Sequence, residues 1–265
     1  MKRTLLVLLA GLAATLLVQA QPQSLDFYAR RYLGQPYVEH VLEVSPERLV
    51  VDTARVDCMT LVEYCLARRM ADAGRGAFRD CVQALRYRDK VERYADRLHY
   101  ASEWILHAEE AGIVKDISLD IGGTQVSRTI RFMSAHPGSY DALSRADAES
   151  KEDLRIIRDE VEPRLSARPF CYVPKDRIRE IERDIRDGDI IFFTTSVEGL
   201  DVSHMAIACI QPPRRPDPGK AALRPVVGFI HASQTAGKVM VDPMSIAEYA
   251  LSRKSITGIK VVRPL

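Results

Sequence analysis

At Asp187-Gly188 the chain changes period, and this change bounds the folds open to it. Beyond the dipeptide, apolar residues alternate and β-branched and aromatic side chains dominate. That pattern predicts strands at Ile190–Thr194, Val202–Ile210, Val226–Ala232, Lys238–Val241 and Gly258–Val262. Before it, the apolar spacing is helical. A first helix runs from Ser24 to Leu33 and stops at Gly34-Gln35-Pro36, and an irregular stretch then leads to Val56. Asp57 is placed to cap a helix through Met70, with Leu61, Val62, Cys65, Leu66 and Met70 on one apolar face. Arg-rich helical patterns fill Phe78 to Ala111, ending at Gly112 and Gly122-Gly123, and others cover Tyr140 to Leu165 and Lys175 to Asp184. The Pro- and Arg-rich stretch Gln211–Pro225 reads as a long exposed hairpin loop. Helices followed by consecutive strands predict an α+β domain with an antiparallel sheet, not βαβ units.

The leader is a separate matter. Met1–Ala20 has a basic start (Lys2, Arg3), an apolar stretch from Leu5 to Val18 and the small-x-small pattern Val18-Gln19-Ala20, as in a secretory signal peptide. The apolar stretch is shorter than the ~20 residues that span a bilayer. The expectation is therefore a mature chain, 21–265, released to the periplasm or secreted and not stably inserted in a membrane. Of the 38 Lys and Arg, two lie in the leader, and the remaining 36 face 36 Asp and Glu. A balanced chain lacks the basic surplus with which proteins grip nucleic-acid phosphates, so no nucleic-acid partner is expected. Five cysteines are an odd set for an oxidising compartment, and at least one stays a thiol. Cys58 and Cys65 sit seven apart on one helix, about 10 Å along its axis, too far for a disulfide. Cys65, Cys81 and Cys209 read as small buried apolar groups.

Cys58 follows the helix-capping Asp57, so its sulfur sits where free amides and the positive end of the helix dipole favour a thiolate. A cysteine nucleophile needs a base within hydrogen-bond reach and a third group to orient that base. Two strands supply both: His204 lies in Val202-Ser203-His204-Met205-Ala206, and His231 lies in Gly228-Phe229-Ile230-His231-Ala232. If these strands pair antiparallel, His204 shares a face with Ala206, Ala208 and Ile210, His231 shares one with Val227 and Phe229, and the imidazoles meet. The same Cys and two His could instead supply three zinc ligands, but no His-Glu-x-x-His or Cys-x-x-Cys cluster accompanies them.

The order Asp57-Cys58, Gly188-Asp189, His204-Met205-Ala206 and Ile230-His231-Ala232 resembles the NlpC/P60 cell-wall cysteine hydrolases, which have a papain-like core. Met59-Thr60 stands where Ser-Gly commonly follows the Cys in the peptidase members. The N-acetylmuramoyl-L-alanine amidase-like branch is more similar: its Asp-Cys-x-Thr-x-Val-Glu motif matches Asp57 to Glu63. Further counterparts are Arg97-Leu98-His99-Tyr100 with Trp104, Gly199 to His204, and His231-Ala232-Ser233 followed by Lys238-Val239. The resemblance spans roughly Tyr37 to Arg263. It implies helices carrying the Cys packed on a C-terminal sheet carrying the His residues, with a helical segment, about 75–165, beside the core.

It further implies Cys58 as nucleophile, His204 as base and His231 as orienting residue, with no cofactor or metal. The implied reaction is hydrolysis of the amide between N-acetylmuramic acid and L-alanine in peptidoglycan or muropeptide fragments. The alternatives are a γ-D-glutamyl-diamino acid endopeptidase, a general papain-like protease and a non-catalytic cell-wall-binding module. Tyr37, Arg97, His99, Trp104, Asp201 and Ser203 are the candidate substrate contacts. Each also has a purely structural reading: a core tyrosine, a solvated Arg with the Trp packed inward, or ordinary strand-entry residues. His40, His107 and His136 read as surface groups without partners.

Overall fold

The structure, a computed structural model, describes residues 23–212 and 225–265. The expected signal peptide and most of the expected Gln211–Pro225 loop lie outside the described residues. In chain order the elements are α1 (Leu25–Ala29), α2 (Cys58–Asp72), α3 (Phe78–Arg86), α4 (Ala101–Glu110), β1 (Val114–Asp116), β2 (Thr124–Val126), α5 (Phe132–Ala135), α6 (Asp141–Ser144) and α7 (Ala148–Ile156). After a π-helical turn come α8 (Glu162–Ser166), β3 (Phe170–Pro174), α9 (Ile178–Ile181), β4 (Ile190–Thr195), β5 (Val202–Gln211), β6 (Val226–Ser233), β7 (Lys238–Val241), α10 (Ile246–Ser252) and β8 (Ile256–Pro264).

The protein is α+β. Its sheet runs β2-β3-β8-β4-β5-β6-β7, with β1 also on β8, and every pairing within it is antiparallel. All five expected strands form, each as long as expected or a few residues longer. Three were missed, because β1 and β2 have three residues each and β3 lies among Arg- and Pro-rich residues, too short or interrupted to show an alternation.

The middle of the sheet is covered on both faces. Ile190, Phe192, Ile207, Cys209, Ile230 and Val262 pack under α1, α2 and α4, in the same cluster as Leu61, Cys65, Leu66 and Trp104. The alternate residues Ile191, Phe193, Ala206, Ala208, Phe229 and Val261 pack against Ile178 and Ile181 of α9 and Ile246 and Tyr249 of α10. This explains why β4 is buried at all six positions: a strand covered on both faces reads as a continuous apolar run. A third cluster, with Tyr94, Tyr100, Met133, Leu143, Ile157 and Val161, gathers the helical segments beside the sheet. The helices α3 and α4, which fall within the 75–165 span read as lying beside the core, pack through Val82, Leu85, Trp104 and Ile105 into the main core instead.

The Asp187-Gly188 turn opens β4 for a steric reason. Gly188 has φ +84°, and a Cβ there would lie 2.5 Å from the Leu25 nitrogen, so only glycine brings the turn against α1. Asp189 then clamps the strand end. It is fully buried, forms a two-point bond with Arg263 of β8 at 2.8 and 2.7 Å, and accepts the Arg186 N–H.

Candidate active site

The helix α2 begins at Cys58 because Asp57 caps it. Asp57 Oδ1 accepts the Thr60 N–H at 2.7 Å, and Thr60 Oγ1 accepts the Asp57 N–H at 2.9 Å. This reciprocal capping box accounts for the threonine two residues after the cysteine. Farther along the same motif, Val62 is core and Glu63, fully buried, pairs with buried Arg86 of α3 at 2.6 Å. Of the five residue types the motif specifies, four build and anchor the helix end that presents the fifth.

Cys58 is half-buried, and the Met205 N–H of β5, its own N–H and that of Met59 are all directed at its sulfur. Burial nevertheless pushes the thiol up to about 12, with the Asp57 charge adding to the effect and the three amides opposing it. His204 immediately precedes Met205. The β4–β5 ladder shifts register there: Phe193 faces His204, whereas Thr194 faces Val202. Ser203 is the extra residue of a β-bulge, which re-aims the side chain that follows it. Ser203 is exposed at the rim, its hydroxyl 3.5 Å from the Phe193 carbonyl.

The β5–β6 ladder ends at Ile207–Ile230, and just beyond it the two imidazoles meet, with His204 Nε2 at 2.7 Å from His231 Nδ1. Behind them, His231 Nε2 stands 3.2 Å from Asp242 Oδ2, with the ring N–H off the direct line. Asp242 directly follows β7, and nothing in its sequence neighbourhood, Val241-Asp242-Pro243, marks it apart from a turn residue. Tyr249 of α10 closes the back of the site: its ring lies 6.1 Å from that of His204 and 5.8 Å from that of His231. The Arg253 guanidinium covers the Tyr249 ring at 3.4 Å. Burial drives His204 down to about 3 and His231 to about 4; the His231 and Arg253 charges add to the effect at His204, whereas at His231 Asp242 partly opposes it. Thiol and imidazoles are thus neutral at rest.

Tyr37 is brought to the same place. Its backbone bridges Val56, two residues before the cysteine, and the Gly237 carbonyl beside β7, and its hydroxyl donates to Glu39 at 3.2 Å. Burial raises that hydroxyl's pKa, with the Cys58 charge next in importance. Also at the helix start, a cavity of about 150 Å³ is lined by Asp57, Met59, His40, Glu43, Arg97 and His99. Arg97 is buried there and held by Glu43 at 2.6 Å and the Leu42 carbonyl at 3.0 Å. His99 bonds the Tyr94 carbonyl at 2.7 Å, and burial followed by the Arg97 charge keeps it neutral.

Two candidate contacts belong elsewhere. Trp104 is completely buried against Phe192, ring centres 5.9 Å apart, and so presents no face to a ligand; its indole N–H finds no partner among the described residues. Asp201 is buried and holds the start of α4, accepting the Ser102 N–H at 2.6 Å and the Val202 N–H at 2.8 Å. Of the three histidines expected to be surface groups without partners, His107 and His136 each have one, and His40 is exposed as expected. His107 bonds the Ala84 carbonyl at 2.8 Å, tying α4 to α3, and His40, though exposed, lines the cavity beside Met59. His136 is exposed, with Nδ1 2.9 Å from the Phe132 carbonyl. All five cysteines are free thiols, and Cys65, Cys81 and Cys209 are buried. Among the described residues no group of three or more His, Cys, Asp and Glu is arranged to hold a metal ion, and no helix is long and apolar enough to cross a membrane.

Known structures resemble most of the chain. Crystal structures of an N-acetylmuramoyl-L-alanine amidase from Bacteroides uniformis superpose with TM-score 0.77 at 31% and 32% identity, covering 91% of this chain and 98% and 97% of theirs. A Bacteroides fragilis protein named as a candidate xylanase gives TM-score 0.75 at 32% identity, over 89% of this chain and 99% of its own. No curated protein sequence matches significantly. The AmiA-like family, described as N-acetylmuramoyl-L-alanine amidase-like, matches residues 28–259, and this chain, α+β with its cysteine and histidines converging at one end of the sheet, belongs to that family.

Proposed function

We propose that the protein is an exported cysteine amidase with a papain-like NlpC/P60 core. Its substrate is the amide joining N-acetylmuramic acid to L-alanine in peptidoglycan or muropeptides. The observation that carries this reading is the 2.7 Å contact between His204 and His231 on the strand whose next amide, Met205 N–H, points at the Cys58 sulfur. With Nε2 committed to His231, the free Nδ1 of His204 is the base for the thiol. Cys58 sulfur attacks the lactyl carbonyl as His204 takes its proton, and the Cys58 N–H at the start of α2 supports the oxyanion. His204 then protonates the leaving amine of L-alanine, and the sugar half stays on sulfur as a thioester. Water, deprotonated by His204, releases the muramic acid and restores the thiol. The protein acts in the periplasm or outside the cell once residues 1–20 are removed, and residues 21–265 form one catalytic unit.

Tyr37 and the Arg97–His99 cavity adjoin the start of α2 and serve this reading as substrate contacts. A glycosidase reading requires two carboxyl groups free to flank a glycosidic bond. The carboxylates near Cys58 are already engaged: Asp57 with Thr60, Glu63 with Arg86 and Asp242 beside His231.

The test is incubation of the mature protein with a defined muropeptide, followed by mass spectrometry. Free L-Ala-led peptide and muramic sugar are expected, with turnover reduced at least about 10³-fold in Cys58→Ala and His204→Ala. Unchanged activity in Cys58→Ala excludes the cysteine mechanism. Cleavage after D-glutamate makes the protein an endopeptidase, and no cleavage makes it a binding module. Activity that survives a chelator and is lost to a thiol alkylator distinguishes the mechanism from zinc chemistry.

A further inference from the structure

We propose that Asp242 is a positioning residue that sets the tautomers of both active-site histidines and so decides which nitrogen of His204 faces Cys58. The proposal rests on the cysteine-amidase reading above. As a carboxylate Asp242 offers only acceptor oxygens, and its Oδ2 stands 3.2 Å from His231 Nε2. The proton of the neutral His231 ring therefore sits on Nε2, which leaves Nδ1 as a lone-pair acceptor. Nδ1 is 2.7 Å from His204 Nε2, so that nitrogen must carry the hydrogen and donate it. Of the two His204 nitrogens, only Nδ1 then has a lone pair, and Nδ1 is the one left to receive the Cys58 proton. When it does so, the resulting imidazolium keeps the same Nε2–H bond to His231, and one proton alone has moved. The relay thus works in both states without rearrangement.

Asp242 is itself held. Its Oδ1 accepts the Met244 N–H at 2.8 Å, and its backbone N–H donates to the Phe229 carbonyl at 3.0 Å. This anchoring makes the asparagine variant informative. The Met244 N–H demands an oxygen, so in Asp242→Asn the amide oxygen stays at Met244 and the NH₂ group falls opposite His231 Nε2. A donor there favours the Nδ1–H tautomer of His231. That hydrogen faces His204 Nε2 and transfers the lone pair of His204 away from Cys58. The alanine variant removes the carboxylate without imposing the wrong tautomer. Other groups facing the pair are Cys58 from α2, Tyr249 from α10 and Arg253 immediately after α10. The Arg253 cation opposes charging of either ring and is unchanged in both variants.

Two measurements decide the matter, and the first needs no substrate. In protein carrying ¹⁵N-labelled histidine, the imidazole nitrogen shifts report the tautomers directly. His231 and His204 are both expected as Nε2–H in the native chain, with His231 switching to Nδ1–H in Asp242→Asn. An Nδ1–H His231 in the unmodified protein overturns the proposal. Second, kcat on the muropeptide is expected to fall on the order of 10³-fold in Asp242→Asn with KM within about threefold, and by less in Asp242→Ala. Iodoacetamide alkylation of Cys58 should slow in the same order. Equal losses in both variants, matched by equal losses of thermal stability, overturn the proposal by making Asp242 a purely structural residue. If the muropeptide proves not to be a substrate, the amidase reading fails, while the nitrogen shifts and alkylation rates still decide the role of Asp242.

Discussion

Loss of hydration disfavours the charged form of both Cys58 and His204, the thiol pushed up to about 12 and the imidazole down to about 3. A thiolate–imidazolium pair preformed at rest would require both shifts to run the other way. Under the proposed cysteine mechanism, the proton is therefore expected to move as the sulfur attacks, and not beforehand. In the native protein the rate of Cys58 alkylation should keep climbing with pH above 8. A plateau extending down to about pH 4 would reveal a preformed ion pair and refute this assignment. The neighbouring residues differ in kind from this pair. Arg97, with its charge matched by Glu43, is built to shape a cavity wall, whereas Trp104 is pure core.

The site is assembled from the ends of elements. The capped start of α2, the bulged start of β5 and the segment just beyond the end of the β5–β6 ladder bring sulfur and imidazoles together, because strand and helix ends leave room for side chains that a continuous ladder would fill. Asp201 ties one of these ends, the entry of β5, to the first turn of α4. Losing that long-range cap in Asp201→Ala should cost about 1–2 kcal/mol of stability, measured by urea unfolding, because a helix-end amide loses its acceptor. KM for the muropeptide should stay within about twofold. A raised KM at unchanged stability would return Asp201 to the substrate cleft.

At the scale of the whole molecule, the histidines of the site make folding sensitive to acid. His204, His231 and His99 all titrate below their ordinary value because burial disfavours the charged ring. Below about pH 6.5 the unfolded chain takes up protons that the native rings refuse, so stability falls as pH drops toward the native values. Each such ring contributes a slope of about 1.4 kcal/mol per pH unit. Urea midpoints should therefore decline from pH 7 to pH 5, less steeply in His204→Gln. A flat profile over that range would mean that the native rings titrate normally.

The local patterns were legible in the sequence: the period change at Asp187-Gly188, the Asp57 cap, five of the eight strands and the two histidines on facing strands. These follow from alternation, capping chemistry and turn residues, which act over a few neighbours. Within the motifs carried by resemblance, the sequence offered no means of separating a residue that touches a ligand from one that holds a helix. Trp104 and Asp201 fell on the structural side only when burial and hydrogen bonds were known. Asp242 reaches His231 through an antiparallel return of eleven residues, a contact decided by strand register and not by any local pattern. Sequence determines what each segment prefers to be. Which side chains meet across elements depends on register, bulges and two-sided packing, which the assembled sheet decides.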